Sequence, residues 1–185
     1  LDQKYNRQAV ARISKGKRVL DCFTHTGAFA LNAARGGAVS VTAVDISADA
    51  VAMTVANAKL NGLENKVQAL EANVFDLLTQ LDDKNSHDYD FIILDPPAFT
   101  KSSSTVVNAL RGYKEINLKA MKLLPRGGYL ATCSCSHFMK EDLFIKMLHD
   151  AAADAAVSLR QVEIRQQSPD HPVLWNVPET FYLKF

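Results

Sequence analysis

The sequence contains no apolar run near the roughly 20 residues a bilayer-spanning helix needs. No membrane-spanning helix is therefore expected. Its opening, Leu1-Asp2-Gln3-Lys4-Tyr5-Asn6-Arg7, lacks the apolar core of a secretory signal. An initiator methionine is also absent, so the chain is expected to be a piece of a longer protein. Charge of one sign is not in excess: 21 lysines and arginines stand against 20 acids. That excludes the strong basic field by which many nucleic-acid binders announce themselves. Cysteine is sparse, with Cys22, Cys133 and Cys135 only. An odd count without a signal excludes a disulfide scaffold and suits a reduced, cytoplasmic setting. Cys133 and Cys135, one residue apart on a strand, are poorly placed to bridge each other. Internal repeats, low-complexity tracts and Gly/Pro/Ser linkers are missing, so residues 1–185 read as one domain.

What is there is an alternation of strand and helix. Short buried strands are expected at residues 18–23, 38–44, 66–70, 89–94 and 129–134. Helices are expected at 27–35, 48–60, 74–81, 108–124 and 140–156, with a further one at Asn6–Ser14. Asp95-Pro96-Pro97 halts the fourth strand, because proline cannot continue a ladder. Residues 159–166 and 180–185 alternate as two more strands with no helix between them, and should pair antiparallel. The fold class is α/β: a doubly wound, Rossmann-like, mostly parallel seven-stranded sheet with one antiparallel C-terminal strand. In such sheets ligands sit beyond the carboxyl ends of the strands. Weight therefore falls on the loops after Phe23, Val44, Leu70, Leu94 and Ser134.

The first loop, Asp21-Cys22-Phe23-Thr24-His25-Thr26-Gly27-Ala28-Phe29, places a glycine where a cofactor could approach the backbone. The dinucleotide fingerprint G-x-G-x-x-G is absent, which counts against a pyrophosphate cofactor. Asp45, ahead of Ile46, could accept both hydroxyls of a ribose. Asn73 could meet an adenine edge, with Val74 or Phe75 against its face. Alone, Gly27 reads as a helix start, and Asp45 and Asn73 as caps. Together at successive strand ends they suit S-adenosylmethionine better than NAD. Arg7 could pair with the carboxylate of that cofactor or lie on the surface of its helix. An NAD-linked oxidoreductase is the weakest reading. Cys133, Cys135 and His137 offer no fourth zinc ligand, so no metal is expected. His25 and His171 have no partner that the sequence assigns.

Three segments carry a resemblance: Asp21 through Phe29, Asp95-Pro96-Pro97-Ala98-Phe99-Thr100-Lys101-Ser102, and Leu110-Arg111-Gly112-Tyr113-Lys114-Glu115-Ile116-Asn117. With Ser134-Cys135-Ser136, His171-Pro172-Val173 and Tyr182-Leu183-Lys184, they resemble the bacterial large-subunit ribosomal RNA methyltransferase I family. The opening residues look like that family too, which usually has arginine where this chain has Lys4. The resemblance implies a class I S-adenosylmethionine methyltransferase fold and formation of 5-methylcytosine in 23S rRNA. It also implies that an N-terminal PUA-type RNA-binding domain is absent from this piece. Ribosomal RNA is then the partner, with a homodimer as a candidate assembly.

Within that resemblance Asp21, Phe23, Thr24, Gly27, Ala28, Phe29, Asp45, Ile46, Asn73, Val74, Asp95 and Arg7 are the expected cofactor residues. Asp95 is also expected to address the base edge. Pro96, Pro97 and Phe99 would hold the base, Phe99 by stacking, and Lys101 would meet RNA phosphate. Arg111 and Lys114 could contact RNA or face water. Carbon 5 of a pyrimidine is a poor nucleophile, and a thiolate adding to carbon 6 activates it. Ser134-Cys135-Ser136 matches the family pattern and selects Cys135. A broader set of RNA cytosine methyltransferases carries Thr-Cys-Ser, which would select Cys133 instead. Cys135 is preferred, Cys133 reading also as a small buried hydrophobe. Two alternatives remain: N-methylation of a base without a covalent step, and a cofactor- or RNA-binding module that is inactive alone.

Overall fold

The computed structural model describes residues 2–100 and 102–185. Five strands, β1 (Arg18–Cys22), β2 (Ser40–Asp45), β3 (Val67–Glu71), β4 (Phe91–Leu94) and β5 (Tyr129–Thr132), form one parallel sheet in the order β3-β2-β1-β4-β5. Six helices accompany them: α1 (Lys4–Ile13), α2 (Ala28–Arg35), α3 (Ala48–Leu60), α4 (Val74–Asp83), α5 (Val106–Leu123) and α6 (Glu141–Asp154). None is long and apolar enough to cross a membrane.

The central strands are apolar on both faces because helices cover both. Val19, Phe91 and Ile93 pack with Val10 of α1 and Phe29, Ala30 and Ala33 of α2. Leu20, Ile92 and Leu94, turned the other way, pack with Leu78 of α4 and Ile116 of α5. Adjacent residues thus serve opposite layers, as the two-residue period of a strand requires. Small residues allow close approach on the first layer. A Cβ added at Gly36 would lie 2.1 Å from the Ala11 carbonyl oxygen, so α1 and α2 meet there only over glycine. Local chemistry starts the helices. The Ser47 hydroxyl accepts from the Ala50 N–H at 3.3 Å and opens α3, and Asn73 Oδ1 accepts from the Phe75 N–H at 2.9 Å and opens α4.

The expected seven-stranded sheet is corrected to five strands. Residues 159–166 and 180–185 do not form strands. They retain an antiparallel bridge between Ser134 and Lys184 and reciprocal backbone bonds between Arg165 and Phe185, at 2.8 and 2.9 Å. The reason is physical. Alternation makes a strand only where one face finds a core, and Leu159, Val162 and Ile164 stay 49, 74 and 46 % exposed. The tail is tied down at its last residues, where Leu183 is buried and Phe185 stacks on Phe29 at 5.8 Å. β5 is also shorter than expected. It ends at Thr132, so both nearby cysteines lie past it and need not share a strand face.

Strand order reverses between β1 and β4: the chain runs outward from β1 to β2 and β3, then returns to β4 on the other side of β1. The crevice beyond the carboxyl ends of those two strands is the binding position of such sheets.

Candidate active site

The loop leaving β1 is folded around one carboxylate. Asp21 is fully buried, and its Oδ2 accepts from the Thr24 hydroxyl at 2.6 Å and the Ala30 N–H at 2.9 Å. These bonds fold residues 22–29 over Asp21, with Phe23, His25 and Gly27 at positive φ (63, 53 and 81°). Asp21 thus shapes the loop from beneath. Its other oxygen, Oδ1, is buried without a hydrogen-bond partner among the described residues. Burial, with the nearby Asp95 charge, pushes its carboxyl up to about 7 against the pull of Thr24.

That shift has a consequence for stability. Between about pH 4 and pH 7 the folded state holds a proton that the unfolded chain releases, so stability is full below pH 4 and falls as pH rises through 7. The loss is on the order of 4 kcal/mol. Asp21→Asn should flatten denaturant-midpoint stability across that window, and a wild-type curve already flat there would contradict the assignment.

The ends of β2 and β3 complete the second side. Asp45 is half-buried; its Oδ2 accepts from the His25 N–H at 2.8 Å and its Oδ1 from the Ser47 N–H at 3.0 Å. It therefore joins the first loop to the second while keeping lone pairs free. Next to it Ile46 is 68 % exposed, an apolar side chain left at the mouth of the crevice. Asn73 is exposed and caps α4, whereas Val74 is buried in the core. Phe75, rather than Val74, faces the aromatic rings of the site. Phe23, Phe75 and Phe99 contact one another at 5.8 to 6.5 Å, and Phe99 lies 4.6 Å from Tyr113. Phe29, on α2, is buried with the Arg7 guanidinium 5.8 Å from its ring. Arg7 Nε is buried without a hydrogen-bond partner among the described residues, and its charge acts on both Asp21 and Asp95.

The ends of β4 and β5 bring the reactive groups together. Asp95 Oδ1 accepts from the Cys133 thiol at 2.9 Å and from Gln3 Nε2 at 3.2 Å. Gln3 is held in turn by Asn6, and Asn6 by Arg165. Burial raises the Asp95 carboxyl, opposed by these donors and by Arg7. Cys133 is fully buried, and burial together with the Asp95 charge pushes its thiol well above the ordinary range. It is a donor locked onto a carboxylate, a poor setting for a thiolate. Cys135 is half-exposed, and its sulfur makes a long contact with the Pro96 carbonyl, 3.8 Å. Burial and Asp95 raise its thiol too, while Lys184 pulls it back. Pro96 is buried beneath the site and Pro97 is exposed. Lys101 lies outside the described residues. Lys114, one of two candidate RNA contacts on α5, pairs with Asp154 of α6 at 2.6 Å.

Gln3, Asn6, Tyr113 and Lys184 belong to this constellation without having been singled out by function.

The fold, the loop built on Asp21 and the acidic end of β2 define a class that comparison with known proteins identifies. Residues 1–180 match the family model described as S-adenosylmethionine-dependent methyltransferase, and the chain belongs to that family. It is 48 % identical over its whole length to a ribosomal RNA large subunit methyltransferase I of Shewanella denitrificans, and 45 % identical to that of Aeromonas salmonicida. The chain spans 46 % of each of these relatives, about half their length. Among solved structures it resembles a methyltransferase complexed with SAH, with a TM-score of 0.83 and 25 % identity over all of this chain and 48 % of that one.

Proposed function

We propose that residues 1–185 form one methyl-transferring domain that acts on carbon 5 of a cytosine in large-subunit ribosomal RNA, with Cys135 as covalent nucleophile. One observation carries this reading. Of three cysteines, two are fully buried, and the half-exposed one lies beside Asp95-Pro96-Pro97 at the switch point of the sheet. The names of the relatives supply the RNA.

The residues present fit S-adenosylmethionine. Arg7 has a buried Nε donor, unmet among the described residues and suited to a carboxylate, Asp45 has carboxylate lone pairs for ribose hydroxyls, and Ile46 offers an exposed apolar surface for adenine. Gly27, Phe23 and Ala28 would line the approach to the backbone. When bound, the cofactor supplies an electrophilic methyl group on a sulfonium. The chain does the rest. Cys135 Sγ, as thiolate, gives an electron pair to carbon 6 and forms the S–C6 bond. The displaced π pair makes carbon 5 nucleophilic, while Asp95, held by Gln3 and Cys133, addresses the edge of the base. After methylation a water molecule takes the carbon-5 proton, the C–H pair re-forms the C5–C6 double bond, and the S–C6 pair leaves with the Cys135 sulfur. Phe99, set among Phe23, Phe75 and Tyr113, offers a face to the flipped base.

RNA carrying 5-fluorocytosine tests this, because fluorine at carbon 5 cannot leave as a cation. A denaturation-stable protein–RNA adduct that forms only with S-adenosylmethionine is the expected result. Methyl transfer to ordinary RNA with no adduct, and an N-methyl base on nucleoside analysis, would move the protein to the non-covalent class.

A further inference from the structure

We propose that Lys184 is the positioning residue of Cys135: it fixes the backbone on both sides of that cysteine and sets its cation against the developing thiolate. The inference rests on Cys135 being the nucleophile.

The geometry is specific. The Lys184 backbone makes two bonds with Ser134, N–H to carbonyl in each direction, at 2.9 and 3.0 Å. Its ammonium then reaches the Ser136 carbonyl at 2.6 Å and the Tyr182 carbonyl at 2.8 Å. Ser134 and Ser136 flank Cys135, so one residue from the far end of the chain holds both neighbours of the reactive sulfur. The Ser134 hydroxyl donates to the Tyr113 hydroxyl at 3.0 Å and Ser136 Oγ donates to the Thr100 carbonyl at 3.0 Å, which ties the same turn to the opposite wall.

Lys184 is only 4 % exposed, and among the described residues its ammonium bonds to carbonyls alone. Lysine is rarely buried without a countercharge, because desolvating an ammonium is costly. Two carbonyls could be held as well by a neutral amide. A neutral side chain would serve those carbonyls but would not answer a negative charge on Cys135 or Glu141, and the ammonium has a third donor. The groups acting on Lys184 are Cys135, Glu141 and Cys133; those acting on Cys135 are Asp95, Asp2 and Lys184. Asp95 and Asp2 oppose the Cys135 thiolate and Lys184 favours it. Burial lowers the ammonium to about 8, so it is charged at neutral pH and loses that charge as pH rises through 8.

The test is the rate of iodoacetamide alkylation at Cys135 from pH 6 to 10, localised by fragmentation mass spectrometry in the whole chain. In the unmodified protein the logarithm of the rate should climb with unit slope and bend to a shallower slope near pH 8, where Lys184 discharges and the thiol becomes harder to ionise. Lys184→Met and Lys184→Gln should each slow alkylation at pH 7 about tenfold, one unit of thiol pKa, and abolish the bend. Gln keeps a donor for the carbonyls, so it separates charge from mere support. Lys184→Arg should restore most of the rate. Unit slope straight through pH 8 in the unmodified chain overturns the proposal, as does a folded Gln variant with the unmodified profile. Failure of fluorocytosine trapping with the bend intact would remove the covalent reading and leave the Lys184–Cys135 coupling standing; trapping without the bend would remove Lys184 alone.

Discussion

Cys135→Ala is expected to lower single-turnover methyl transfer to RNA by on the order of 10³-fold or more, the scale seen when a covalent nucleophile is deleted. Without sulfur at carbon 6, carbon 5 has no enamine character, and no other described side chain supplies it. The substitution should cost little stability, because Cys135 is half-exposed and its contact with the Pro96 carbonyl is long. Cofactor affinity, measured by calorimetry, should stay close to that of the unmodified chain. Cys133→Ala should behave differently. It deletes a buried thiol that donates to Asp95 Oδ1 and lies 3.5 Å from Gln3 Nε2. A cost of about 1–2 kcal/mol and a milder loss of rate, about tenfold, are expected from a disturbed carboxylate. If Cys133→Ala is the inactive variant and Cys135→Ala retains transfer, the two cysteines exchange roles.

The contrast between these cysteines shows what a sequence can and cannot disclose. Their spacing makes them equivalent on any strand pattern, yet β5 ends at Thr132 and the chain turns, burying one and exposing the other. Strand period carries no information past the end of the strand. The central strands were legible because Val19, Leu20 and Phe91 through Leu94 are apolar without interruption, the mark of a sheet covered on both faces. Helix starts at Ser47 and Asn73 were legible because capping is local. Asn73 acts as that cap in the structure, and the aromatic side chain facing the site is the following Phe75, not Val74. Residues 159–166 misled because alternation was read without knowing whether a core lay beside it. Gln3 and Lys184 stayed hidden for another reason. They reach the site from the two ends of the chain: Gln3 bonds Asp95 across 92 positions and Lys184 bonds Ser136 across 48. Nothing local to either residue marks such a meeting, which only the folded sheet brings about.

Gly27→Ala is expected to destabilise the chain by roughly 2–4 kcal/mol and to weaken cofactor binding with it. Two separate costs add. Gly27 holds φ at 81°, in the left-handed region, where an L side chain is strained by about 1 kcal/mol. A Cβ there would also stand 2.8 Å from Thr54 Cγ2, inside van der Waals contact. Thr54 cannot simply turn aside. It is fully buried on α3, and its hydroxyl donates to the His25 carbonyl at 3.1 Å, which is part of the loop that Gly27 closes. The added methyl must therefore push either α3 or the loop, and the loop carries the His25 N–H that binds Asp45. For a domain of this size the loss corresponds to a fall of about 5–15 °C in Tm. Thr54→Ser separates the two costs. It removes Cγ2 and keeps the hydroxyl, so in the Gly27→Ala background it should recover the steric part and leave the backbone part. Coupling of about 1 kcal/mol or more between the two substitutions in a double-mutant cycle would show that helix α3 sets how closely the first loop can fold. Additive effects would mean that the loop relaxes around the methyl group and that Gly27 is needed for its backbone angle alone.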